Sequence, residues 1–236
     1  MILDVFSLSG TQGFCMKLLA LETANEQCSV SLVDDTQELF FQLDEQTKAQ
    51  TQTILPLTEQ ALLQTQTQLA DLTTIAFSRG PGSFSGVRIN AAVAQALAWS
   101  HNLPVIPVSS LQALAQAAYR LMGLQQVTAV LDARMQEVYV ASYQLDAAGI
   151  MQAVDSEQML NYTEAAQQIK FTVVGSGSDL IKQEQTQYKD LSATAQDIAT
   201  IAREAAQREA WVSADLALPV YLRDNAWKKI SEQGKP

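Results

Sequence analysis

The chain has little of what most metal, redox and hydrolytic centres are built from. Its 236 residues include two cysteines, Cys15 and Cys28, and one histidine, His101. Two cysteines are too few for a disulfide framework or a cysteine-based metal site. A lone histidine excludes paired-histidine zinc sites, and a Ser-His-Asp triad would have to form around His101 with no Gly-x-Ser-x-Gly elbow to serve. Positive charge is scarce as well: 15 Lys and Arg face 25 Asp and Glu, a formal net charge of −10. Phosphate contacts supply most nucleic-acid affinity, so so acidic a chain is not expected to hold nucleic acid by itself. No run is long and apolar enough to span a bilayer. Residues 1–15 have no basic start, and Asp4 interrupts their apolar part, so no signal peptide is expected. They read as an N-terminal extension ahead of a first strand, and the cytoplasm is the expected compartment.

What is present is most concentrated in Ser78-Arg79-Gly80-Pro81-Gly82-Ser83-Phe84-Ser85-Gly86-Val87-Arg88. An apolar run at 73–77 reads as a strand, and the alanine-rich stretch 87–100 reads as a helix. Glycines and a proline between them make a tight turn whose amides can face a ligand at a helix N-terminus. That is the shape of a phosphate cradle, without the Gly-Lys-Ser/Thr ending of a P-loop. A turn needing small residues for close packing satisfies the same pattern.

Around this loop the chain repeats itself. The N-terminal half reads as strands at 17–21, 28–33 and 38–43, a helix at 49–65, a strand at 73–77, a helix at 87–100, a strand at 105–108 and a helix at 111–121. From 127 the order restarts: strands at 127–131, 138–145 and 150–154, a helix at 163–169, a strand at 171–174, a Gly175-Ser176-Gly177 turn, and a longer helix at 195–208. Three meandering strands followed by alternating helices and strands, twice over, is a duplicated α/β plan with mixed sheets. It is the order of the two-lobed actin-like, ribonuclease H-like fold, with expected subdomains at 16–122 and 123–236. Glu22 and Asp132 end the first strand of each half and would flank the cleft between them.

With these residues in place, the chain resembles the TsaB (YeaZ-type) family, partner subunits in bacterial tRNA threonylcarbamoyladenosine (t6A) synthesis. The matching stretches are Leu18-Leu19-Ala20-Leu21-Glu22-Thr23-Ala24, Cys28-Ser29-Val30, the run from Gly80 to Ile89, Leu131-Asp132-Ala133-Arg134-Met135-Gln136-Glu137-Val138-Tyr139 and Pro219-Val220-Tyr221-Leu222-Arg223. Ser85 stands where threonine is usual. The resemblance implies a non-catalytic subunit that binds and stabilises the TsaD transferase, joined by the TsaE ATPase, with tRNA reached only through the complex. TsaD carries a His-x-x-x-His metal motif after the equivalent of 105–108. Ser110 and Leu114 fall at those places here, and neither suits a metal, so no metal or other cofactor is expected.

An actin-fold kinase or ATPase working in its own cleft is the alternative, with Asp132 as its candidate catalytic carboxylate. It needs small residues in two hairpins, so that phosphate reaches backbone amides. Here the hairpins hold Asn25-Glu26-Gln27 and Arg134-Met135-Gln136. Glu22, Gly80, Gly82, Ser83, Asp132, Arg134, Gly175 and Gly177 are therefore the expected lining of a vestigial or shared nucleotide cleft. In the family the contact with the transferase is a helical bundle of the first two helices. Ile54, Leu57, Ala61, Arg88, Ala91, Ala94 and Gln95 are the expected interface, which would also serve a homodimer when the partner is missing. Glu59 and Arg88 are the only charges on these two helices, and charge is depleted at interface cores. Arg88, in a helix's first turn, is expected to seek an acceptor such as Asp71 or a partner carboxylate. Ala94→Glu is expected to break the heterodimer while leaving the fold intact.

Overall fold

A computed structural model of the chain describes residues 16–46 and 49–222. The expected extension at 1–15 and the motif residue Arg223 lie outside them. Strands β1 (Lys17–Glu22), β2 (Cys28–Asp34) and β3 (Glu38–Asp44) form a meander. Helix α1 (Gln50–Gln64), β4 (Thr74–Gly80), α2 (Phe84–Ser100), β5 (Val105–Ser109) and α3 (Ser110–Met122) follow. The sheet order is β3-β2-β1-β4-β5, with β4 parallel to both β1 and β5. The second half repeats this with β6 (Gln126–Arg134), β7 (Glu137–Leu145) and β8 (Met151–Ala153), then β9 (Gln158–Asn161), α4 (Tyr162–Gln168), β10 (Thr172–Val174), β11 (Gln187–Tyr188) and α5 (Ala195–Gln207). Its order is β11-β10-β6-β7-β8, the same path as the first sheet, with β9 added against β7. The fold is the duplicated actin-like α/β plan.

Alternation along β1 decides the layers. Leu19 and Leu21 face one way and pack with Ile54, Leu57 and Ala61 of α1 and with Ala91, Ala94 and Ala98 of α2. Leu18 and Ala20 face the other way and pack with Ala195, Ile198, Ala199 and Ala202 of α5. Helix α3 contributes Ala113 to that layer but Leu111, Leu114, Ala115 and Ala118 to the second sheet, against Ala129, Ala141 and Tyr143. The last helix in sequence thus covers the first sheet, and the third helix leans on the second. Helix α5 reaches across the expected division at 122/123, its apolar stripe matched to β1, β2 and β4. One ion pair joins the two exchanged helices: Arg120 Nε and Nη2 on α3 each lie 2.8 Å from the fully buried carboxylate of Asp197 on α5. Asp197 Oδ2 also accepts the Thr194 amide at 2.9 Å, capping α5.

Strand and helix limits differ from expectation for local reasons. Helix α2 begins at Phe84 rather than at 87, since the Ser83 hydroxyl caps it by accepting the Gly86 amide at 3.1 Å. Strand β4 runs on to Gly80, paired with β5 beyond its apolar stretch. β9 and β11 are too short to show a period.

The five apolar residues expected at a partner surface are core. Ile54, Leu57, Ala61, Ala91 and Ala94 are all under 10% exposed, packed beneath their own helices. Ala94→Glu is accordingly expected to unfold the chain rather than to dissociate a complex, because it overfills a closed layer with a charge. The expected loss is about 3–5 kcal/mol, measured by urea denaturation; a variant of unchanged stability overturns this core assignment. Arg120→Ala, which leaves Asp197 buried without its cation, is expected to cost a similar amount, about 3 kcal/mol.

Candidate functional site

The 80–86 loop and the end of β1 are built against each other. Gly80 has φ +99° and Gly82 and Gly86 have no room for a side chain: a Cβ on Gly82 would lie 2.5 Å from the Ala24 oxygen, and one on Gly86 would lie 2.0 Å from the Thr23 oxygen. The Ser83 amide donates to the Ala24 carbonyl at 2.7 Å, and the Thr23 hydroxyl donates to the Gly86 carbonyl at 2.8 Å. The Ser83 and Gly86 amides, which a phosphate cradle would need, are thus used inside the protein. Close packing explains the glycines.

The second expected turn behaves in the same way. Gly175 has φ +101°, and a Cβ there would meet Leu114 Cδ2 at 2.4 Å and the Val130 oxygen at 2.5 Å. Its amide donates to Tyr188, and that of Gly177 donates to Val130. Leu114, at the place of an absent histidine, packs where this turn closes on β6.

Between the two sheets lies a cleft of about 1160 Å³. Glu22, Gly82, Ser83, Asp132 and Arg134 line it, together with Ser110, Ser176 and Tyr221; Gly80, Gly175 and Gly177 stand behind these residues rather than among them. Asp132 Oδ1 accepts the Arg134 amide at 2.7 Å, and its Oδ2 pairs with Arg134 Nη1 at 2.9 Å. The acid is therefore engaged by its own turn. Arg134 also reaches Glu26 across the cleft at 3.8 Å, both side chains well exposed, so that contact adds little stability. Arg134, Met135 and Gln136 all have positive φ, a sharp non-glycine turn that presents side chains rather than amides.

Glu22 is the unusual group. It is 2% exposed, and its Oε1 accepts the Ala24 amide at 2.6 Å. Oε2 has no hydrogen-bond partner among the described residues. Burial pushes its pKa up from 4.5 to about 7, while the Ser78 hydroxyl and the Ala24 and Asn25 amides pull it down and Asp197 adds to the rise. Asn90, outside the expected site residues, has its Nδ2 donating to the Leu21 and Ser78 carbonyls at 3.1 Å and to Ser78 Oγ at 2.7 Å. Its signal was an asparagine beside the buried alanines of α2.

At the cleft mouth Arg88 is held by rings rather than by the carboxylate expected for it. Its guanidinium lies 3.5 Å above the Phe84 ring and 4.8 Å from that of Tyr221, and Nη1 donates to the Phe84 carbonyl at 2.6 Å. Asp71 instead accepts the Gln68 amide. The Val220 amide donates to the Arg79 carbonyl at 2.8 Å, so the chain after α5 returns to strap the loop.

Comparison with known proteins places this geometry. The sequence model of the TsaD family, tRNA N6-adenosine threonylcarbamoyltransferase, matches residues 44–230. The tRNA threonylcarbamoyladenosine biosynthesis protein TsaB of Escherichia coli is 41% identical over 229 residues, covering 91% of this chain and 98% of that protein. The chain belongs to the TsaB family. TsaB of Haemophilus influenzae is 34% identical, with 91% and 97% of the two chains covered. The solved structure of YeaZ from Pseudomonas aeruginosa superposes with a TM-score of 0.82 at 36% identity, over 88% of this chain and all of that one. In this member of the TsaB family no three His, Cys, Asp or Glu residues among those described are grouped to hold a metal, and no described helix is long and apolar enough to cross a membrane.

Two outcomes test this construction. Gly86→Ala is expected to destabilise the chain by about 3 kcal/mol in denaturant melts, since backbone on both sides must move; a neutral effect overturns the close packing. Glu22 keeps its proton to about pH 7 when folded but releases it near 4.5 when unfolded. Stability therefore falls as pH rises through that window, by up to about 3 kcal/mol. Glu22→Gln is expected to gain on the wild type between pH 5 and pH 8, and parallel pH profiles would show Glu22 to be an ordinary surface-like acid.

Proposed function

We propose that this chain is a subunit without chemistry of its own, which binds and stabilises a TsaD-like transferase for t6A formation in tRNA. The relatives' names support the pathway. The inward Ser83 and Gly86 amides and the engaged Asp132 support a subunit that does not turn over nucleotide in its own cleft. A TsaE-like ATPase would join the pair, tRNA would be held through the complex because this chain is so acidic, and the setting would be the cytoplasm. The chain would pair with itself when the transferase is missing.

The observation that carries the partner surface is the outer face of two adjacent helices. Leu55 and Leu63 on α1 are 53% and 70% exposed, and Trp99 on α2 is 69% exposed. Ala96 and Ala92 lie one and two turns before Trp99, also exposed. Small residues let a second pair of helices approach closely, and exposed Leu and Trp supply apolar anchors. The interface moves from the buried stripe to this outward one; of the residues expected earlier, Arg88 and Gln95 remain part-exposed beside it.

The test is size-exclusion chromatography with light scattering, with and without the cognate transferase. Leu63→Glu and Ala96→Arg are each expected to keep the melting temperature and to weaken the heterodimer at least tenfold. A complex unaffected by both substitutions overturns the surface, and no complex with wild type overturns the partnership.

A further inference from the structure

Two buried polar atoms at the cleft make no hydrogen bond of ordinary geometry among the described residues: Glu22 Oε2, whose carboxylate also feels the Ser78 hydroxyl, and Ser110 Oγ. Their residues are 2% and 7% exposed, sit on different elements, β1 and α3, and line the same space. A buried carboxylate oxygen and a buried hydroxyl left unpaired each cost stability. Both are answered by a ligand group that donates several hydrogen bonds from one atom. Around them the lining carries five carboxylates, those of Glu22, Glu26, Glu45, Asp132 and Asp190. Three cations share the lining: Arg134 pairs with Asp132 and reaches Glu26, Arg88 rests on rings and Lys189 lies 3.4 Å from Asp179, which leaves carboxylates outnumbering cations five to three and Glu22, Glu45 and Asp190 outside these pairs. The field in the cleft favours cations. Leu114, Leu131 and Val87 add apolar wall, against which methylene stems can lie.

We propose that the cleft is a binding site for an aliphatic polyamine, with one ammonium on Glu22 and Ser110 and another among the carboxylates nearer the mouth. An ammonium has three donors and a compact charge, which suits the unpaired oxygens of a carboxylate and a hydroxyl that line the same cleft. A metal ion is disfavoured because no third ligating side chain joins Glu22 among the described residues. A nucleotide is disfavoured because Glu26 faces the same space and the Ser83 and Gly86 amides are spent inside the protein. Glu22 is also the proton-linked group of the site. The charged and titratable neighbours packed against it are Asp197 on α5, already paired with Arg120, and the Cys28 thiol on β2, pushed up to about 12 by burial and so neutral. Ammonium groups stay charged across the neutral range, so affinity should follow Glu22 alone.

The experiment is an NMR titration of the ¹⁵N-labelled full chain with spermidine at physiological salt, for wild type, Glu22→Gln and Ser110→Ala. Saturable shifts are expected at the amides of Glu22, Ala24, Ser110 and Ala133. Affinity should rise about tenfold from pH 6 to pH 8 as Glu22 ionises. Glu22→Gln should weaken binding at least tenfold and Ser110→Ala severalfold, both with folded spectra. Shifts spread over the acidic surface, equal in wild type and Glu22→Gln and lost with salt, would overturn the site, as would no shift at millimolar spermidine. Shifts of the same amides by ATP but not by spermidine would overturn the ligand class. The chain is tested alone, so failure here leaves the transferase partnership standing.

Discussion

Backbone lies against backbone where the 80–86 loop meets the end of β1, at distances that admit no methyl group. Thr23 and Ala24 on one side and Gly82, Ser83 and Gly86 on the other are tied by two hydrogen bonds. This contact fixes where α2 starts and which of its faces meets the sheet. The remaining face is left outward beside α1. The same contact turns the Glu22 side chain under the loop, where burial raises its pKa, and forms one wall of the cleft. A loop with the composition of a phosphate cradle is thereby converted into a structural joint, because amides that donate inward are not available to a ligand.

The second constraint is the exchange of helices between the halves. Helix α5 completes the layer on the far face of the first sheet, while α3 reaches over to the second. A duplicated chain whose halves packed only within themselves would be free to hinge widely. Here each half owns part of the other's core, and the Arg120–Asp197 pair pins the crossing. The cleft is thus framed by elements that cannot separate without opening a core layer, which suits a subunit that offers a fixed surface to a partner more than one that closes on a substrate.

Apolar residues expected at the interface from the family's helical bundle are the inner stripe, as hydrophobic periodicity requires. A helix that covers a sheet and is proposed to meet a partner has two working faces, and the proposed outer one is marked only by small and uncharged residues with a few exposed apolar ones. On α1 and α2 that face holds Leu55, Leu63, Ala92, Ala96 and Trp99. Its chemistry was visible in the shortage of charge, but its membership was not, because the phase of each helix against the sheet is set by packing.

Hydropathy pattern and turn residues by themselves determined the duplicated order of strands and helices, since the short apolar runs of β1 and β6 and the alanine stripe of α2 leave few other choices. Composition determined that no cysteine or paired-histidine centre can form. The run around Gly80 determined a tight joint of some kind. Only the tertiary structure decided what that joint does, because a Cβ clash with Thr23 or Ala24 is a contact between segments some sixty residues apart. It also decided that α5 belongs to the first sheet, that Arg88 rests on Phe84 and Tyr221, and that Glu22 is buried. Each of these depends on which surfaces meet across the fold, a long-range outcome that local periodicity does not carry.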